Sequence, residues 1–448
     1  MAEAKRMNTI IVGAAGRDFH NFNVIYRDNE LYNVVAFTAT QIPNISGRKY
    51  PATLAGKLYP DGIPIFEEKE IEDLIRKYDV EEVVFSYSDV QYRHVMSLDS
   101  RVSMAGAHFK LLSATRTMIK SRKPVVSVTA VRTGSGKSQT CRKVSHLLAD
   151  MGLKVAAIRH PMPYGDLELQ KVQRYATIAD LQKHNCTIEE MEEYEPHIVS
   201  GTIIYAGVDY KAILESAEQE ADVIVWDGGN NDTSFYTPDL SIVVADPLRV
   251  GNELSYYPSE TNLRMADVVI INKVDSAQPQ AVLALRDNIR MVNRKAQIIE
   301  ATSPVYAKES SLITGKRVLV IEDGPTLTHG EMKFGAGTVA ANKFGAREIV
   351  DPRPYCTGEI KKTFEKYPGI GVLLPAMGYS EKQVQDLQET INKVPCDTVI
   401  IGTPIDLSRI VTMNKPSVRV SYELEEVGTP DLKTVLTAFV STLKKSKG

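Results

Sequence analysis

Arg132-Thr-Gly-Ser-Gly-Lys-Ser138 stands between an apolar β-branched run, Val125 to Val131, and a segment with Cys141, Val144, Leu147, Leu148 and Met151 spaced three and four apart. Strand, glycine turn and helix in that order suit phosphate binding. Gly134 and Gly136 let the main chain, Ser135 included, fold closely around phosphate oxygens, and the helix N-terminus adds positive potential. Lys137 is expected at the β- and γ-phosphates, Ser138 on Mg²⁺, and Gln139 beside the nucleotide. The full pattern G-x-x-x-x-G-K-S/T asks for glycine at position 131, where this chain has Val131, so the loop is a variant.

Two later runs extend the same chemistry. Ala221 to Trp226 reads as a buried strand ending in Asp227-Gly-Gly, which fits a carboxylate that holds Mg²⁺ directly or through water. Asp267 to Ile271 is another such strand, ending in Asn272-Lys273-Val-Asp275. Asp275 can accept two hydrogen bonds from a guanine edge, and Lys273 can pack on the ring. This element favours GTP without excluding ATP.

Charged residues gather near the loop in sequence. Arg132 precedes it, and the run after strand Lys154 to Ile158 carries Arg159, His160 and Asp166. Arg132, Arg159 and His160 are candidates to face the phosphates or a second anionic substrate, and Asp166 to touch the metal or a nucleophile; a solvated connecting loop is the alternative. Lys171 and Arg174, three apart on an expected helical stretch, form a candidate anion wall or a solvated face. Asn230 and Asn231 follow Asp227. Near the start, Gly13-Ala-Ala-Gly-Arg17-Asp-Phe-His20 offers Arg17 and His20 to a phosphorylated substrate, or is a structural turn.

The alternation of short apolar runs, Gly or Asp turns and amphipathic segments predicts an α/β protein with mostly parallel sheets. Polar stretches near 122 and 312 divide it into three. Residues 1–122 read as a Rossmann-like domain, 123–312 as a P-loop NTPase domain and 313–448 as a smaller α/β domain. The second strand ends in Thr38 where an NAD site wants an acid, which disfavours NAD. The last helix, from Asp431 to Leu443, should bury Leu432, Val435, Leu436 and Phe439. Lys plus Arg number 53 and Asp plus Glu 56, a balance that argues against a nucleic-acid binder working by bulk charge. The four cysteines form no CxxC pair, and no apolar run reaches the ~18–20 residues of a membrane span. A cytoplasmic protein is expected; a homo-oligomer stays open.

Taken together, these motifs, with Trp226-Asp-Gly-Gly-Asn-Asn-Asp232, Glu322-Asp-Gly-Pro-Thr-Leu-Thr-His329 and Pro375-Ala-Met-Gly378, resemble a prokaryote-type family described as P-loop GTPases or cyclic 2,3-diphosphoglycerate synthetases. The resemblance spans nearly the whole chain. It implies the P-loop class that contains dethiobiotin synthetase and metal-insertion GTPases. It also implies a Mg²⁺-dependent ligase or kinase that closes 2,3-bisphosphoglycerate to a cyclic pyrophosphate, or makes the bisphosphate from 2-phosphoglycerate. A regulatory or assembly GTPase is the alternative; metal insertion is disfavoured by the lack of a His/Cys cluster in the sequence.

Overall fold

The computed structural model describes residues 5–40, 45–160, 162, 163, 165–324, 327, 332–377 and 380–445. Of the motifs Glu322 to His329 and Pro375 to Gly378, residues 325, 326, 328, 329 and 378 lie outside them.

Among the described residues the strands form three large sheets and one short ribbon. The first holds β1 (Met7–Val12), β2 (Tyr32–Ala39), β3 (Lys49–Tyr50), β4 (Ile63–Glu67), β5 (Glu82–Phe85) and β7 (His108–Leu111), in the order β3-β4-β2-β1-β5-β7. All neighbours are parallel except β3 and β4. The two-residue β6 (Val90–Gln91) pairs with the later β14 (Tyr256–Tyr257) and ties this unit to the next.

The central sheet contains β8 (Val125–Ala130), β9 (Val155–Arg159), β10 (Gln173–Tyr175), β11 (Ile203–Ala206), β12 (Val223–Asp227), β13 (Leu240–Ala245), β15 (Val268–Ile271) and β16 (Gln297–Thr302). Its core runs β9-β12-β8-β13-β15. Every residue of β8, β12, β13 and β15 is buried, as expected of β-branched strands covered on both faces. Because these strands are parallel, their C-terminal ends share one edge. That edge carries Arg159, Asp227, the glycine loop, Asp246 and Asn272 side by side. The expected helical stretch around Arg174 is instead β10, which pairs antiparallel with β11.

The third sheet contains β17 (Val305–Ala307), β18 (Arg317–Asp323), β19 (Glu348–Ile349), β20 (Leu374–Ala376), β21 (Thr398–Ile401) and β22 (Ser417–Tyr422). The chain then returns to the central sheet. β23 (Glu425–Val427) pairs antiparallel with β16. The terminal helix (Leu432–Lys445) buries Leu432, Val435, Leu436 and Phe439 against Val144 and Leu148 of the P-loop helix (Lys137–Asp150). The four apolar positions are those the sequence pattern selects, but they complete the central layer, so the segment after 312 is shared between two sheets. No described helix is long and apolar enough to cross a membrane.

Candidate functional site

The glycine loop is held from outside by its neighbours on the sheet edge. Asn272 donates to the Ser135 carbonyl (3.0 Å) and Lys273 to the Gly134 carbonyl (2.6 Å). Arg249 donates to the Thr133 carbonyl (2.8 Å), and buried Asp246 binds both Arg249 (3.0 Å) and Lys273 (3.2 Å). Three successive carbonyls are thus occupied by side chains outside the loop. Val131 takes the place of the first motif glycine because its side chain points into the core with Val243, Ala245 and Leu263, while its N–H bonds the Val244 carbonyl (3.0 Å).

Gly136 has no substitute. Its φ is +107°, and a Cβ there would lie 2.1 Å from Asn272 Nδ2. Gly136→Ala is therefore expected to abolish nucleotide binding, read as loss of any nucleotide-induced rise in melting temperature.

Asp227 is the centre of the site and is fully buried. Its Oδ1 accepts from Lys137 Nζ (2.7 Å) and from the Arg159 guanidinium (2.8 Å), and its Oδ2 lies 3.1 Å from His197 Nε2. Burial pushes this carboxyl upward; Arg159, Lys137 and His197 outweigh it and hold it well below the usual carboxylate range. Arg159 also pairs with Glu193 (2.5 Å), whose other oxygen lies 3.3 Å from the Ser138 hydroxyl. Ser138, Glu193 and Asp227 offer only hard oxygen donors, which fit Mg²⁺. Cys141 and His197 also come within 4.8 Å of Asp227.

Around this centre lies a cavity of ≈ 270 Å³ that all three sheets line, through Arg17 and Ser88, the glycine loop, and Glu322 and Tyr422 among others. Gly134, Gly136, Lys137, Ser138, Gln139, Arg159, His160, Asn230, Lys273 and Arg17 line it, whereas Ser135, Asp227 and Asn272 are buried behind its lining.

Several expected site residues do other work. Arg132 lines the cavity, but Asp89 takes its Nε (2.6 Å) and the guanidinium stacks 3.6 Å over Tyr256, so its charge braces the loop against the first unit. His160 packs on Gly229, and burial, with Arg159 and Lys137 beside it, holds its pKa well below the usual value. It is therefore neutral at pH 7 and contributes no cation. Asp166 is exposed and receives the Glu168 N–H (2.9 Å). Lys171 is exposed, and Arg174 pairs at the surface with Glu220 (2.8 Å). None of these three lines the cavity. Asn231 is buried and donates to Ser259 (2.6 Å) and to the Tyr257 carbonyl (3.2 Å). Asp275 is exposed beside Ser276, which lines the cavity. Arg17 pairs with Asp232 (3.0 Å) and stacks on Phe235 (4.3 Å), fastening the first sheet to the second.

His20 is structural. It is 1% exposed, stacks on Phe235 (4.1 Å), and its Nε2 lies 2.7 Å from the Thr117 carbonyl. Burial, then the Arg17 charge, lowers its pKa from 6.5 to about 3. A folded value below the unfolded one means that its contribution is complete above pH 6.5 and lost as pH falls toward 3. The expected loss is about 1.4 kcal/mol per pH unit in that window. His20→Gln keeps a donor toward Thr117 and should flatten that slope when denaturation free energy is followed against pH.

Glu193 and His197 were not legible in advance. They lie on the helix Ile188–Val199, a glutamate-rich segment that matches no catalytic or binding motif. In the fold Glu189, Glu190, Glu192, Glu195 and His197 are all buried. The only local signal is His197 beside Pro196 in a segment otherwise rich in acid.

No protein-family model matches the chain. The arginine synthetase ArcE of Thermococcus kodakarensis is 61% identical over 447 residues, covering 100% of each chain. Among solved structures, LpxK from Aquifex aeolicus in complex with ATP is similar over 72% of this chain and 90% of its own, at 14% identity and a TM-score of 0.43. The hydrogenase maturation factor HypB from Archaeoglobus fulgidus is similar over 40% and 81%, at 16% identity and a TM-score of 0.27.

Proposed function

The chain belongs to the family of the Thermococcus kodakarensis arginine synthetase, and from that membership and the site's geometry we propose that it is a nucleoside-triphosphate-dependent ligase whose product is arginine. The observation that carries the reading is the Lys137–Asp227–Arg159 cluster at the glycine loop.

In this reading Lys137 leaves Asp227 for the β- and γ-phosphates when a triphosphate enters, while Arg159, anchored by Glu193, stays beside the γ-phosphoryl group. Ser138, Asp227 and Glu193 are the residues that would hold Mg²⁺, which supplies charge neutralisation on the phosphates. The γ-phosphoryl group passes to an oxygen of the acceptor as its bond to the diphosphate breaks. A nitrogen nucleophile then forms the new C–N bond and expels that oxygen with inorganic phosphate. Positioning and charge neutralisation dominate such transfers, so the protein need supply no covalent intermediate. The substrates are small molecules. Asn272 and Lys273 buttress the loop whichever base is bound, so ATP and GTP are both to be tried.

Cyclisation of 2,3-bisphosphoglycerate, or its formation from 2-phosphoglycerate, is the reading the motif resemblance implies, and finds no support in the relative's name. A regulatory GTPase would turn over without an acceptor. The test is triphosphate turnover with ATP or GTP and Mg²⁺, alone, with the phosphorylated acids, and with ammonia plus neutral ureide and amide acceptors. Arginine appearing with diphosphate is the expected result. Turnover stimulated only by a phosphorylated acid, or needing no acceptor, contradicts the proposal.

A further inference from the structure

Alternate residues of β8 and β13 face opposite ways. Val126, Val128, Leu240 and Ile242 join the core under the loop helix, with Val144 and Leu148. Ser127, Thr129 and Ser241 face the other way, and Ser127 stands level with Ser241 across the two strands. A strand covered on both faces is ordinarily apolar throughout, yet these three hydroxyl residues are buried. They line a second cavity, of ≈ 220 Å³, together with Ser234 and Asn262. Thr115 and Thr237 also line it and are exposed, which marks its mouth. None of the described residues that line it carries a charge. Its inner end reaches the first cavity. Asn262 donates to the main-chain carbonyls of Asn231 (2.7 Å) and Asp232 (3.3 Å), and Asp232 lines the first cavity. This side chain and that stretch of main chain stand between the two. Two buried acceptors along the way, Thr129 Oγ1 and Asn231 Oδ1, have no hydrogen-bond partner. A buried polar atom left open in this way calls for a small donor to fill it.

We propose that this second cavity admits the nitrogen nucleophile as neutral ammonia, which passes Asn262 to reach the cavity that the glycine loop lines. This rests on the arginine-forming reading and supplies its nitrogen substrate. The first cavity, ≈ 270 Å³, has to take the phosphates and the acceptor, so a third reactant needs a way in from the other side. Ammonia donates and accepts hydrogen bonds, as the hydroxyls and the amide along the passage do. Ammonium would lose its hydration there with no carboxylate to answer it, since Asp232 at the inner end is held by Arg17 (3.0 Å). The cation therefore leaves its proton outside, and what arrives carries the lone pair that forms the C–N bond.

Steady-state turnover of the full chain, with ammonia varied at saturating triphosphate and ureide acceptor, tests this in Ser241→Leu, Met265→Trp and Ser241→Ala. The leucine fills the cavity between the strands. The tryptophan, at a half-buried lining position, narrows it and carries the test should the leucine variant not fold. The alanine leaves it open. KM for ammonia should rise about tenfold or more in the Leu and Trp variants and stay within about twofold of wild type in the Ala variant, with KM for triphosphate unchanged in all three. A merely structural defect would move the triphosphate KM as well. Expressed as total ammonia, the wild-type KM should fall about tenfold for each pH unit below the ammonium pKa, as the neutral fraction grows. An ammonia KM within about twofold of wild type in both Ser241→Leu and Met265→Trp, or a wild-type KM constant with pH, overturns the proposal and leaves the arginine-forming reading standing. A wild-type chain that forms no arginine from ammonia overturns the reading and the proposal together.

Discussion

A Lys137→Ala protein is expected to lose turnover by at least about 10²–10³-fold, the scale of removing one donor aimed at developing charge. Triphosphate affinity should fall with it. Lys137 is 7% exposed, lines the cavity and is the first residue of the loop helix. Asp227 keeps Arg159 and His197 when Lys137 is removed, so the variant should fold and melt near the wild-type temperature in the absence of nucleotide. Calorimetric titration with ATP and GTP, beside a melting curve of the free protein, separates the two effects. A variant that binds triphosphate as tightly as wild type would show that the phosphates lie elsewhere.

Asp227→Asn should fail in a different way. One fully buried carboxylate answers Lys137, Arg159 and His197 at once. An amide of the same size leaves two cations facing a neutral group. Breaking a buried ion pair from one side costs about 3–5 kcal/mol. The variant is thus expected to lose turnover and also to unfold at distinctly lower denaturant in the absence of any ligand, unlike Lys137→Ala. Equal stability of the two variants would mean that the network is not what braces this edge.

Much of this was legible in the sequence because parallel strands bury both faces. The apolar runs at Val125, Val223 and Val268 name β8, β12 and β15, and parallel alignment forces Asp227 and Asn272 to the edge where the glycine loop begins. What was not legible depends on contacts remote in the chain. The motif cannot tell that Arg132 is neutralised by Asp89, 43 residues earlier. Nor can helical spacing tell that glutamates 189, 192 and 195 face inward, since an acidic run ordinarily lies in water. Lys171 and Arg174 failed for a local reason. The segment pairs as β10 against β11, so the two residues do not share a helical face. The return of β23 to β16 likewise depends on an edge left open by a strand more than a hundred residues before it.

In the proposed reaction the triphosphate held at Lys137 drives bond formation by phosphorylating an acceptor oxygen. Turnover run in ¹⁸O-enriched water, with the released phosphate analysed by mass, reads this directly. Phosphate free of solvent oxygen, released in step with arginine, is the result expected when the acceptor supplies the fourth oxygen. One solvent oxygen in every phosphate would mean that water, not the acceptor, attacks the γ-phosphate, and would rule out the acceptor-phosphate route.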